Sequence, residues 1–395
     1  MQSKRLYFLD WIRIIAFFLL ILYHVGMYYV SWGWHVKSPH ASDAIEALMM
    51  LSSPWRMSLL FLVSGVAAAF LLDKLGPATF ARQRSFRLLL PLVFGMLVIV
   101  PPQPYFEVVE KVAYAGSYAD FMQLYVRAYH GFCNQDGCLT LPTWNHLWFL
   151  PYLWVYTMVL AAIGAARASR AGDKLAHALQ GWRLIVLPTA LLAATRVVLL
   201  PYWPHTNDLV ADWHNHATYF PIFLAGALLA KQPQFWEQTE RARFAALGIA
   251  LACWAGLMAY YSLPEAMQLH VNAQRVVYAL LQWSAIVAVC GFARRHLDFD
   301  SPKRGYLTEA VFPVYILHQT LIVCFAHGLK VAGMPPMLEG AVLVVLTVTV
   351  SFGMFEVVRR VGVLRPLFGL AAAPRDRTHG GSMIRPTALR AGDAS

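Results

Sequence analysis

The sequence predicts an all-α, polytopic integral membrane bundle of about ten transmembrane helices, and three observations carry that reading. Apolar runs recur from the first residues to about residue 370, each near the ~20 residues that a bilayer span requires. The chain of 395 residues is 58% hydrophobic and only 13% charged, with mean hydropathy +0.50. No water-soluble globule with that composition has enough polar surface to cover itself. The cations, finally, fall mostly in alternate loops.

Taken in order, the expected spans are roughly 7–30, 46–73, 84–101, 146–166, 184–201, 216–231, 242–262, 273–293, 307–329 and 337–358. The first follows Lys4 and Arg5 as a signal peptide would, but Asp10 and Arg13 interrupt it and no small-residue cleavage site follows. It reads as a retained helix. Loops on one side hold Lys74, Arg82, Arg84, Arg87, Arg167, Arg170, Lys174, Arg183, Lys231, Arg241, Arg243, Arg294, Arg295, Lys303 and Arg304. The opposite loops hold little beyond Lys37, Lys111, Arg127, Arg275 and Lys330. This positive-inside asymmetry places both termini in the cytoplasm and accounts for the formal charge of +11 without nucleic acid as a partner. The transmembrane domain is expected over 1–370, followed by a basic, disordered cytoplasmic tail over 371–395.

Five cysteines do not form a disulfide framework. Cys253, Cys290 and Cys324 lie in expected spans, where a small apolar residue is wanted. Cys133 and Cys138 bracket a turn-prone Asn-Gln-Asp-Gly in the longest outward loop, so a local disulfide in an oxidising compartment is expected there. Four metal ligands are not available around them, and His205, His214 and His216 with Asp208 and Asp212 fit no single helical face. No metal is expected.

Ionisable groups at membrane depth are costly and become functional candidates. Arg13 and His24 are eleven residues apart, so one helical face carries both, separated by about 16 Å along the axis. Pairing with Asp10 is the structural alternative for Arg13, and a hydrogen-bonded structural role the alternative for His24. Arg84 and Arg87 share a face where the third span begins, and guanidinium forks suit phosphate; ordinary anchoring is the competing reading. At the opposite end Arg56 opens the second span, and Ser64-Gly65 deeper in it suggest close helix packing. His146 and Trp148 open the fourth span, where Trp is commonly an interface anchor. His318 falls mid-way along the ninth, beside Gln319.

Taken together, Arg13 with His24, Arg84 with Arg87, Ser64-Gly65, the run His146-Leu147-Trp148-Phe149-Leu150 and Tyr315-Ile316-Leu317-His318 resemble the acyltransferase 3 family over about residues 5–360. Within it, the run Tyr7 to Arg13 and Trp34-His35-Val36 look like the glucan biosynthesis protein C branch, associated with succinylation of periplasmic glucans. The resemblance implies a bacterial inner-membrane enzyme in contact with lipid, with acyl-CoA (acetyl-CoA or succinyl-CoA) as co-substrate and an extracytoplasmic carbohydrate hydroxyl as acceptor. It implies phosphate-binding roles for Arg13, Arg84 and Arg87, and His24 as general base or acyl carrier. His146, His318 and Arg56 would orient the acceptor or stabilise the oxyanion, with Trp148 beside them. The rival reading is a transporter or flippase of polysaccharide or lipid-linked substrate; the absence of a Walker A pattern removes an intrinsic ATP-driven pump.

Overall fold

The computed structural model describes residues 6–134, 137–264, 267, 268 and 270–371; the expected tail lies outside them except for Ala371. In chain order the helices are α1 (Tyr7–Tyr29), α2 (Glu46–Met50), α3 (Arg56–Leu75), α4 (Pro77–Phe94), α5 (Pro102–Lys111), α6 (Tyr118–Val126), α7 (Phe149–Ile163) and α8 (Ala165–Ala178). Then follow α9 (Arg183–Val198), α10 (Trp213–Leu229), α11 (Pro233–Tyr261), α12 (Val271–Leu297), α13 (Pro302–Leu329), α14 (Pro336–Arg360) and α15 (Leu364–Leu367). Seven helical segments among the described residues are long and apolar enough to cross a membrane. Two bent pairs, Pro77–Ile99 with Pro102–Lys111 and Ala168–Ala178 with Arg183–Val198, raise that to nine. Ten spans were expected; α10, at 17 residues, is the shortest of the ten corresponding segments after α7 and α9.

The departures from expectation have local causes. The second span does not run unbroken from residue 46: Ser52-Ser53-Pro54 interrupts it, because the residue before proline is pushed away from helical geometry, and α3 starts afresh at Arg56. The third begins earlier, at Pro77, a favoured first helical position, directly after Gly76 at φ +73°. The segment 102–145, expected to face outward, is folded, with α5, α6 and a two-stranded hairpin, β1 (Cys133–Asn134) and β2 (Gly137–Cys138), the two cysteines joined by a disulfide. Phe121, Tyr125, Phe132, Leu141 and Val108 give this cap its own small core.

Ion pairs gather the basic ends. Asp10 meets Arg304 at 2.6 Å and Arg13 at 3.8 Å; Asp73 meets Lys231 at 2.8 Å. At the other end Glu110 holds His327 at 2.8 Å and Lys330 at 3.1 Å, and Tyr29 donates to the buried Glu339 at 3.0 Å. Lys37 caps α1 through the carbonyls of Met27 and Val30, at 2.7 and 2.6 Å. Its partial burial, with Lys111 nearby, pushes the ammonium down to about 8.

Helices α3 and α10 cross at bare backbone. A Cβ on Gly65 would run into the Phe223 carbonyl, and one on Gly226 into that of Leu62. Lipid supplies no hydrophobic drive between helices, so this close approach is what holds the crossing. Gly65→Val is therefore expected to cost about 1–3 kcal/mol or more by overpacking, read as a lowered unfolding temperature in detergent. Gly256, with open space around the same position, is the control for Gly→Val.

Candidate active site

The transmembrane histidines converge. His24, from the last two turns of α1, places Nδ1 2.8 Å from Nε2 of His318 on α13, with the two rings stacked at 5.0 Å. His318 is fully buried, and its Nδ1 lies 2.7 Å from the Tyr315 carbonyl. A carbonyl only accepts, so Nδ1 of His318 carries the hydrogen and its Nε2 is the acceptor in the neutral ring. Nδ1 of His24 must then be the donor. These assignments leave the His24 Nε2 lone pair uncommitted, and no described residue hydrogen-bonds it. One histidine fixes the tautomer of the other.

His146 is arranged differently. Its Nε2 donates to the Ile316 carbonyl at 3.1 Å, and its Nδ1 accepts from Gln103 at 3.2 Å. Both nitrogens are occupied, and the ring packs edge-on against His318 at 5.3 Å. Gln103 extends the network: it donates to Thr320 at 2.7 Å and accepts from Asn145 and Gln319, each at 3.0 Å. Gln319 also donates to Nε2 of His35 at 3.0 Å, so the His35 hydrogen sits on Nδ1, 2.5 Å from Glu107. Buried polar chains of this kind rigidify a site when every member is satisfied.

Two cavities lie on either side of the histidine pair. The first, about 520 Å³, is lined at the basic end by Arg13, Arg84, Arg87 and Arg365 and further in by Leu20, Val63, Phe149, Leu153 and Tyr315. Leu20 is one turn before His24, and Tyr315 stacks on His318 at 5.9 Å. Arg365 is paired with Glu309 at 3.3 Å, and Arg87 donates to the Gly369 carbonyl at 2.9 Å. Arg84 forms no hydrogen bond or ion pair with the described residues, and its Nε is buried without a partner. That excess of positive charge over acid has the chemistry to hold a polyanion. The second cavity, about 430 Å³, opens at the other end; His24, Trp34, His35, Glu107, Lys111, Trp148 and Gln319 are among its lining residues.

Sequence reasoning named Arg13, His24, Arg56, Arg84, Arg87, His146, Trp148 and His318. The first cavity collects Arg13, Arg84 and Arg87; the second collects His24, His146 and Trp148; His318 stands at their boundary. Arg56 lies apart from both, its guanidinium 3.6 Å over the Tyr23 ring. His35, Glu107 and Gln103 were missed as site residues. His35 was visible only within the Trp34-His35-Val36 resemblance, and Gln103, between prolines in an outward segment, carried no signal at all. His205, His214 and His216 do not form a metal cluster, nor does any group of three His, Cys, Asp or Glu among the described residues.

A helical membrane bundle that brings a histidine pair to the meeting point of a polybasic cavity and a polar, tryptophan-lined one has the parts of a membrane-embedded group-transfer enzyme. The chain belongs to the acyltransferase 3 family, whose model, described as an acyltransferase domain, matches residues 6–356, and it is an acyltransferase. It is similar to the glucans biosynthesis protein C of Escherichia coli K12, at 23% identity over 93% of this chain and 94% of the relative. The protein of the same description in Escherichia coli O81 is equally similar, at 23% identity with the same coverage. No solved structure matches.

Proposed function

We propose that the chain transfers an acyl group from cytoplasmic acyl-CoA to a hydroxyl of an extracytoplasmic carbohydrate, with His24 as general base. The observation that carries this reading is the uncommitted Nε2 of His24, held by His318 and set where the second cavity comes up to the first. The cation asymmetry supports cytoplasmic termini. Arg13, Arg84 and Arg87 then receive the phosphates of CoA, and the apolar stretch from Leu88 to Leu20 takes the extended arm that ends in the thioester.

The acceptor enters the opposite cavity, where Trp34, Trp144 and Trp148 offer apolar faces for a sugar ring and Asn145, Glu107 and Gln319 offer polar partners. His24 Nε2 takes the proton of the attacking hydroxyl as the oxygen bonds to the acyl carbon. The imidazolium so formed is hydrogen-bonded to His318 Nε2. The C–S bond breaks, the proton passes to the departing sulfur, and acyl-sugar and CoA thiol leave with both histidines neutral again. His318 keeps the base in the right tautomer, and His146 and the Gln103 network hold the wall behind it.

The test uses protein in liposomes with acetyl-CoA and succinyl-CoA in parallel, following thiol release and label transfer to periplasmic glucan. Label transfer that depends on His24 supports the reading. Glucan uptake without thiol release sinks it in favour of a transporter. His318→Ala is expected to lower kcat about tenfold to a hundredfold, within the range for impaired acid–base catalysis, with KM for acyl-CoA unchanged. It is also expected to move the acid limb of the pH–rate profile, a shift that mere loosening of the helix would not produce.

A further inference from the structure

Two more arginines lie within the bundle, away from the Arg13–Arg84–Arg87 cavity. Arg56, at the start of α3, is 5% exposed; its guanidinium stacks 3.6 Å over Tyr23 and donates to Ser52 Oγ at 3.3 Å. Arg196, near the end of α9, stacks 3.6 Å over Tyr278. In both the Nε is buried without a hydrogen-bond partner, and neither forms an ion pair with the described residues. Gln282, one turn past Tyr278 on α12, donates to Ser58 Oγ on α3 at 2.7 Å, so α12 carries Tyr278 and the stacked Arg196 up to the start of α3, where Arg56 lies. His214, fully buried on α10, packs edge-on against His205 at 4.6 Å. Asp212, the carboxylate nearest in charge effect to Tyr219, is already taken up by the backbone of Thr206 and Asn207, the Tyr152 hydroxyl and Asn215.

Two guanidiniums without a counter-charge at membrane depth are costly, and stacking on a tyrosine face offsets that only in part. The face contact leaves in-plane N–H groups able to donate, beyond the one that Arg56 gives to Ser52. A guanidinium has five of them in a flat fork, the geometry that grips a carboxylate or phosphate. Tyr23, the ring under Arg56, packs edge-on against His24 at 5.8 Å, which sets Arg56 beside the reacting atoms.

We propose that Arg56 and Arg196 form a second anion subsite, next to the histidine pair, that takes a single carboxylate or phosphate carried by one of the two substrates. Its attachment to a substrate rests on the acyl-transfer reading above; the anion site itself does not. An anionic end on the transferred acyl group and an anionic substituent on the acceptor present the same chemistry to these side chains.

The experiment has two arms. In the first, full-length protein in detergent is titrated with sodium butyrate or sodium phosphate at fixed ionic strength against chloride, and the unfolding temperature is followed. The parent is expected to be stabilised, and Arg56→Gln and Arg196→Gln are expected to lose that response. Arg56→Lys, which keeps the charge, guards against a variant that fails to fold. No anion-dependent shift in the parent, or an equal shift in the variants, overturns the site. The second arm compares succinyl-CoA with the near-isosteric neutral butyryl-CoA, and a phosphate-substituted with an unsubstituted glucan. A KM rise of about tenfold or more in Arg56→Gln and Arg196→Gln, the loss of one good charged contact, is expected for one charged substrate only, and which one identifies the source. Equal changes for charged and neutral partners overturn the substrate assignment. An arginine-dependent shift from protein that transfers nothing sinks the acyl-transfer reading and leaves the anion site standing.

Discussion

His24→Ala is expected to lower kcat by about a hundredfold to ten-thousandfold, the span that a positioned general base contributes, while leaving binding of acyl-CoA nearly intact. The separation of the two effects follows from the geometry. His24 lines the cavity away from the basic end, and the arginines proposed to hold the donor line the other one. Removing the imidazole also strands His318, whose Nε2 loses its donor in a fully buried position, so some loss of stability accompanies the loss of rate. His24→Gln separates the two. Its amide can donate to His318 and keep the packing, but it cannot take a proton. Near-normal unfolding temperature with collapsed turnover in His24→Gln is the signature of a base. Recovery of activity in that variant would assign His24 to packing alone.

Arg84→Met has the second largest expected effect, and it is expected to act in opposite directions on affinity and stability. The half-buried guanidinium has a buried Nε with no partner and lies beside Arg87 and Arg13 with little acid nearby. Without ligand, that crowding of like charge is unfavourable. Arg84→Met should therefore leave the unfolding temperature unchanged or raise it. With acyl-CoA present the same cation makes charge-assisted bonds to phosphate, each typically 1.5–3 kcal/mol. KM for the donor is expected to rise roughly ten- to hundredfold, with kcat little changed. Isothermal titration with CoA alone checks the affinity without depending on turnover. Arg87→Met should show a smaller effect, because part of that side chain already serves the Gly369 carbonyl.

How far these features were legible in the sequence depended on how local they were. Arg13 and His24 share one helix, and eleven residues is close to three whole turns, so their common face follows from helix geometry alone. Gly65 could be read as a packing site because small residues mark close crossings in membranes, yet its partner Gly226 had no mark of its own. The His24–His318 contact spans 294 positions. No periodicity encodes which face of α13 turns towards α1, and only the order of motifs shared with a family pointed to it. Gln103 shows the limit most clearly: it joins His146, Thr320, Asn145 and Gln319, but it sits among prolines where the chain reads as a loop. The helix bounds departed from expectation for a related reason. Hydropathy does not register the interruption at Pro54 or the 108° bend between Ala168–Ala178 and Arg183–Val198, since both change direction without changing composition.

The most direct test of transfer from one end of the bundle to the other is a sided assay. Protein is reconstituted in vesicles with the basic end outward, glucan is enclosed in the lumen, and labelled acyl-CoA is added outside. The expected result is labelled glucan inside and CoA thiol outside in equal amounts, with both abolished in His24→Gln. Label appearing only when glucan and acyl-CoA share one side, or appearing undiminished in His24→Gln, would contradict it.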